Sequence, residues 1–214
     1  MSIALRAGVV ASALAAWFFT QSLLARRRVP ASGIGDALHA LTAPLNRWLH
    51  AHPRGADTVL IASSAYIDAL ALTLIGVALL GPSFRPFVGL VLLFGLRQAC
   101  QGLCALPPPE GMLWRRPRVP ALLVTYGTAT DLFFSGHTAM AVYGAIELGR
   151  LGGAEVAGVA AGLAVLEAAT VLVLRAHYTM DVIAGAAAAF CAACAADRLA
   201  PFCDDLLVAA ALAV

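Results

Sequence analysis

Six runs of about 20 apolar residues, each the length an α-helix needs to cross a bilayer, divide this chain at 7–25, 57–80, 84–106, 132–151, 154–175 and 180–200. In hydrocarbon the backbone must satisfy its own N–H and C=O groups, so runs of this kind fold as helices. The expected fold is therefore all-α: a polytopic membrane protein built as a six-transmembrane-helix bundle. Composition agrees, with 61% apolar and 12% charged residues and a mean hydropathy of +0.86. The formal charge of +2 is too small to point to nucleic acid. The first run is followed, not preceded, by Arg26, Arg27 and Arg28, which reads as a retained anchor and not a cleaved signal.

Short breakers, "GPSFRP" at 81–86 and the glycine pair at 152–153, join neighbouring runs into antiparallel hairpins. Two longer connections collect the polar residues. In the first, residues 26–56, "GDALHALTAPLNRWLHAHP" mixes apolar residues with His39, Arg47, His50 and His52 in a pattern suited to a helix lying on the membrane surface, its histidines solvated. The second, 107–131, opens with "PPPEG" and carries Arg115, Arg116 and Arg118, with Glu110 read as solvated. Trp17, Trp48 and Trp114 are expected as interfacial anchors. "CAAC" at 191–194 has a redox or zinc spacing, but it lacks a second ligand pair and sits in an apolar run, so it reads as helix packing. The whole chain, 1–214, is expected to form one transmembrane catalytic domain, with an interfacial segment at about 35–52 and a catalytic core at about 84–200.

His137 stands at the start of the fourth run, and His177, 40 residues on, stands just before the sixth. One helix out and one back fill that interval, which returns both imidazoles to the same membrane face. Asp181 follows His177 by four residues, a spacing that on a helix brings the carboxylate to a ring N–H. Two histidines and an acid suit phosphoryl transfer through a covalent intermediate. His177 is the expected nucleophile, Asp181 its orienting acid, and His137 the general acid and then base. Ser135 and Gly136 fall where a helix begins and free N–H groups favour a phosphate, and Arg175 is placed to neutralise a phosphate oxygen. No cofactor or metal is called for. Ionisable groups at membrane depth are costly, which favours this reading over three incidental polar residues. Asp68 and Arg97 fall at similar depths on the second and third runs and are expected to form an ion pair, Arg97 being also a candidate contact for substrate phosphate. Glu167 reads as a hydrogen-bonded core acid.

"SGHT" at 135–138 followed by "HYTMD" at 177–181 resembles the motif pair of the type 2 phosphatidic acid phosphatase superfamily, in particular its branch of sphingomyelin synthases and plant phosphatidylcholine:diacylglycerol cholinephosphotransferases. The matching family residues are His137, His177 and Asp181. Upstream, "LNRWLHAHP" at 45–53, and Arg97 followed by "LPPP" at 106–109, are similar to cholinephosphotransferase segments. Arg175 fits the plant pattern and Asp131 the sphingomyelin synthase pattern. The resemblance spans roughly residues 40–195. The chain departs from the superfamily's phosphatases in having no lysine, and in carrying Thr170 and Val171 where they have Ser-Arg, which weakens simple phosphomonoester hydrolysis.

The resemblance implies transfer of a phosphocholine-type headgroup from a membrane phospholipid donor to a lipid alcohol acceptor, diacylglycerol or ceramide, through a phosphohistidine. The alternatives are a lipid phosphate phosphatase with water as acceptor and, from another class, a non-enzymatic membrane transport or assembly protein. As a multi-pass membrane protein it is expected in the endoplasmic reticulum or another endomembrane of a eukaryote, or in the inner membrane of a bacterium. Nine arginines against four place the site's side in the cytosol, whereas the resemblance to sphingomyelin synthases implies a lumenal or exoplasmic site.

Overall fold

The computed structural model describes residues 3–26, 34–117, 119, 121, 122, 124, 126 and 132–212. Arg27, Arg28, Arg118 and Asp131 lie outside the described residues. The described chain forms six helices: α1 (Ile3–Leu24), α2 (Ala37–Ala51), α3 (Pro53–Leu80), α4 (Arg85–Leu103), α5 (Gly136–Val173) and α6 (Thr179–Leu212). Five of them, all but α2, are long and apolar enough to cross a membrane. The protein is an integral membrane protein.

The expectation of six separate spans changes at α5, which joins two of the apolar runs in one 38-residue element. A straight helix of that length would separate its ends by about 55 Å. Its ends are instead adjacent, because Ser135 N–H, just before α5, donates to Asp181 O, beyond its far end, at 3.0 Å. The reversal occurs at Gly153, whose φ of 78° and ψ of −168° are accessible essentially to glycine alone. A Cβ on Gly149 would lie 2.7 Å from that of Ala157, so the two arms touch just beyond the turn. α5 is thus a folded-back pair, and both of its ends sit with the starts of α2 and α6 at one face of the bundle.

α2 lies at that face and is two-sided. His39, Asn46 and Leu49 are buried against the bundle, while Leu38, Leu41, Leu45 and Trp48 are exposed along the other side. An apolar outward stripe suits a helix resting in the lipid headgroup layer. Two of the expected surface histidines, His50 and His52, are exposed, but His39 is buried. Small residues let the remaining helices pack closely: α6 offers Ala188, Ala189, Ala192, Ala193 and Ala196, and Gly89 of α4 leaves room for Tyr143 of α5. At the opposite face Arg85 bonds both Glu147 and Asp197, and Arg150 donates to both oxygens of Asp197, joining α4, α5 and α6. Arg6 Nη1 donates to Ala78 O and Gly81 O, each at 2.8 Å, and fixes α1 to the α3–α4 turn. Ser63 Oγ donates to Glu167 at 2.6 Å, so this core acid is hydrogen-bonded. Cys191 and Cys194 do not pack inward; both are exposed on the outer face of α6.

Candidate active site

Two chain segments meet at the α2 face. Ser135 caps α5, its Oγ accepting from Thr138 N at 3.3 Å, and sets His137 in the first turn. His177 lies two residues before α6 begins. The segments are stitched through backbone: besides the Ser135–Asp181 bond, a Cβ on Gly185 would lie 2.6 Å from Ser135 O, so only glycine lets α6 come this close.

The structure brings His137, His177, Gly136 and Arg97 to the wall of one cavity of about 370 Å³. Its remaining walls are predominantly apolar, from α1, α3 and α4 and from Met112 and Trp114 of the long connection. His177 Nδ1 lies 2.8 Å from Leu132 O. A carbonyl can only accept, so Nδ1 carries the proton and Nε2 keeps its lone pair. His137 Nε2 is buried and makes no hydrogen bond with any described residue, and the His137 and Trp114 rings meet nearly perpendicular with centroids 5.1 Å apart. Arg97 is 5% exposed; its Nε donates to Phe134 O at 2.9 Å, and a Cβ on Gly136 would lie 2.9 Å from that nitrogen. Glycine at 136 therefore seats the guanidinium against the start of α5.

Asp181 lies 3.8 Å from His177 Nδ1, too far for the orienting hydrogen bond that the spacing led one to expect. Leu132 O takes that bond instead. Asp181 occupies the third position of α6, and its Oδ2 turns back to accept from Tyr178 N at 2.9 Å. Arg175 does not line the cavity. Its φ of 54° turns it toward the long connection, where Nη1 donates to Glu110 O at 2.7 Å and Nη2 to His39 O at 3.1 Å. Glu110 itself is exposed. Ser135 is fully buried as the cap of α5. The expected Asp68–Arg97 ion pair is replaced by other bonds: Asp68 accepts from Leu122 N at 2.8 Å, and Arg97 donates to Phe134 O. Of the three tryptophans only Trp48 lies exposed at the surface, whereas Trp17 and Trp114 line the cavity.

α2 holds the second segment in place. Asp36 caps α2 through Leu38 N and His39 N, and also accepts from Thr179 N at 2.5 Å and Thr179 Oγ1 at 2.6 Å at the start of α6. His39 Nε2 donates to His177 O at 2.9 Å. Asp36→Ala removes both caps, with an expected loss of about 2 kcal/mol at about 1 kcal/mol each, read as a lower melting temperature in detergent. Partial burial raises the Asp36 pKa, but the bonds from Thr179 and His39, with the charge of His39, outweigh it and hold the carboxyl below its ordinary 3.8. A depressed folded-state pKa means that the stabilisation is complete above 3.8 and lost as pH falls through the folded value. The wild type is thus expected to lose melting temperature on acidification below that point, and Asp36→Ala to lose less.

A family model for AtPDCT1/2, the phosphatidylcholine:diacylglycerol cholinephosphotransferases, matches residues 35–198, about three quarters of the chain. The chain belongs to this family. The match begins at the cap of α2, contains all the site residues above and leaves out α1. Membership makes the protein a membrane-embedded lipid phosphotransferase. No curated protein and no solved structure matches the chain.

Proposed function

We propose that the protein moves phosphocholine from phosphatidylcholine to diacylglycerol by a ping-pong route through phospho-His177. The observation that carries this reading is the convergence of both imidazoles and Arg97 on one mainly apolar cavity, in a member of the cholinephosphotransferase family. His177 Nε2 attacks phosphorus, and the bond from phosphorus to the glycerol oxygen breaks. His137 gives that oxygen its proton and diacylglycerol leaves. A second diacylglycerol then loses its hydroxyl proton to His137, attacks the phosphohistidine and releases His177.

Leu132 O holds the His177 ring in the attacking tautomer, and the Asp181 carboxylate stabilises the cationic phosphoimidazole. Arg97 faces the phosphate and takes the role first assigned to Arg175, which positions the His177 segment from behind. Ser135 and Gly136 shape the start of α5, leaving Gly136 against the phosphate and Ser135 beneath it. A phosphodiester carries one negative charge, so one guanidinium suffices. Apolar walls keep water from the phosphohistidine, which favours transfer over hydrolysis.

Purified protein is given phosphatidylcholine labelled in its headgroup, with and without diacylglycerol. The expected result is labelled phosphatidylcholine on the added diacylglycerol and no steady release of free phosphocholine. Continuous release without a lipid acceptor would make the protein a hydrolase, and preferential labelling of ceramide would make it a sphingomyelin synthase.

A further inference from the structure

Two polar atoms in the cavity wall are left unused by the chemistry above. Trp17 Nε1 on α1 and Gln98 Oε1 on α4 are both buried, and neither makes a hydrogen bond with a described residue. Burying a donor or an acceptor without a partner is unfavourable, so two such atoms in one otherwise apolar chamber call for a ligand with complementary groups.

Their placement is constrained. Gln98 follows Arg97 on α4, and its Nε2 donates to Gln21 Oε1 at 3.1 Å, which holds the amide and leaves Oε1 unbonded. One turn deeper, the Trp17 and Phe94 rings meet edge to face with centroids 5.9 Å apart, which fixes the indole. Four residues of helix correspond to about 6 Å of depth. An acceptor therefore stands level with the phosphate-facing arginine, and a donor stands about one turn further into the bilayer.

We propose that Trp17 and Gln98 form a glycerol-ester subsite, in which Gln98 Oε1 accepts from the free hydroxyl of an arriving diacylglycerol, before the same hydrogen rotates to His137 for abstraction, and Trp17 Nε1–H donates to one of its ester carbonyls. This rests on the transferase reading above and names which part of the acceptor is recognised. The hydroxyl belongs level with the phosphorus it will attack, and the acyl esters lie deeper, toward the hydrocarbon. The subsite also separates acceptor from donor. In phosphatidylcholine the same oxygen carries phosphorus in place of hydrogen and has nothing to give Gln98, so the amide favours the lipid with a free hydroxyl. Trp17 lies on α1, outside the residues shared with the family model, so recognition of the lipid backbone is contributed here by a helix beyond the shared catalytic segment.

The test compares diacylglycerol with its diether analogue, which keeps the hydroxyl and both chains but lacks the carbonyls. Full-length wild type and Trp17→Phe are assayed in the same detergent for phosphocholine transfer to each. One neutral hydrogen bond corresponds to a preference of about five- to tenfold, so wild type should favour the diester by that factor in kcat/KM and Trp17→Phe should bring the ratio close to one. Phenylalanine retains the Phe94 contact and the fold. Gln98→Leu should raise KM for both acceptors alike, since both carry the hydroxyl. An unchanged diester-to-diether ratio in Trp17→Phe overturns the subsite. The rise in melting temperature on adding each acceptor reads the same ratio without catalysis. A wild type that transfers no phosphocholine but is stabilised more by diester than by diether, with that difference lost in Trp17→Phe, would refute the transferase reading and keep the subsite. Equal stabilisation in wild type and variant would refute the subsite alone.

Discussion

Replacing His177 by alanine is expected to lower phosphocholine transfer by about 10⁴-fold or more, because the variant has no atom to attack phosphorus and the covalent route is closed. The loss should appear in kcat. The fold should survive: the imidazole leaves one carbonyl, Leu132 O, without its donor, which costs about 1–3 kcal/mol. His177→Ala should accordingly accumulate in the membrane and unfold cooperatively at a modestly lower temperature. A variant that still transfers phosphocholine at a tenth of the wild-type rate would remove His177 from the nucleophile's role.

The second large effect belongs to His137. Loss of a general acid and base lowers turnover by about 10²–10⁴-fold. His137→Ala should show a fall in this range, and its dependence on the leaving group identifies the role. A diacylglycerol oxygen must be protonated as it departs, whereas a nitrophenolate leaves unaided. With p-nitrophenyl phosphocholine as donor, His137→Ala should recover most of the rate at which nitrophenolate is first released, and His177→Ala should recover none. Equal damage with both donors would assign His137 to structure.

The apolar pattern was the most legible part of the chain: each of the five helices long and apolar enough to cross a membrane overlaps an expected run, although six separate spans were expected and α5 takes in two of the runs. It could not foresee that α5 would continue as one element through the turn, because only the backbone at Gly153 shows that the two arms remain helical on both sides of a single residue. The interfacial α2 was legible from its mixture of apolar and polar residues, but which histidine turned inward was not: His39 and His50 differ by contacts made far along the chain, at His177 O and Gly111 O.

Within the site, residue types were easier to read than hydrogen bonds. The four-residue spacing of His177 and Asp181 implies a shared helical face only if the helix includes both, and α6 begins at Thr179. The true holder of the ring is a main-chain carbonyl, and any residue at 132 would supply one. Arg175 adopts a left-handed backbone conformation that nothing about an arginine foretells. Arg97 was visible as an intramembrane cation, yet depth on a hairpin does not fix direction around a helix axis, so the expected bond to Asp68 gave way to Phe134 O. Asp36 carried the signature of a helix cap, but its second helix, α6, is distant in sequence.

The central claim, a covalent phosphohistidine, is tested most directly by mixing the enzyme with phosphatidylcholine labelled at the headgroup phosphate, without acceptor, and quenching in alkali. The account predicts up to one equivalent of diacylglycerol released per active site, with the label retained on the peptide containing His177, stable to alkali and lost in acid. Unlabelled protein at every time point, with label passing to lipid only once diacylglycerol is present, would contradict it and establish direct transfer between the two lipids.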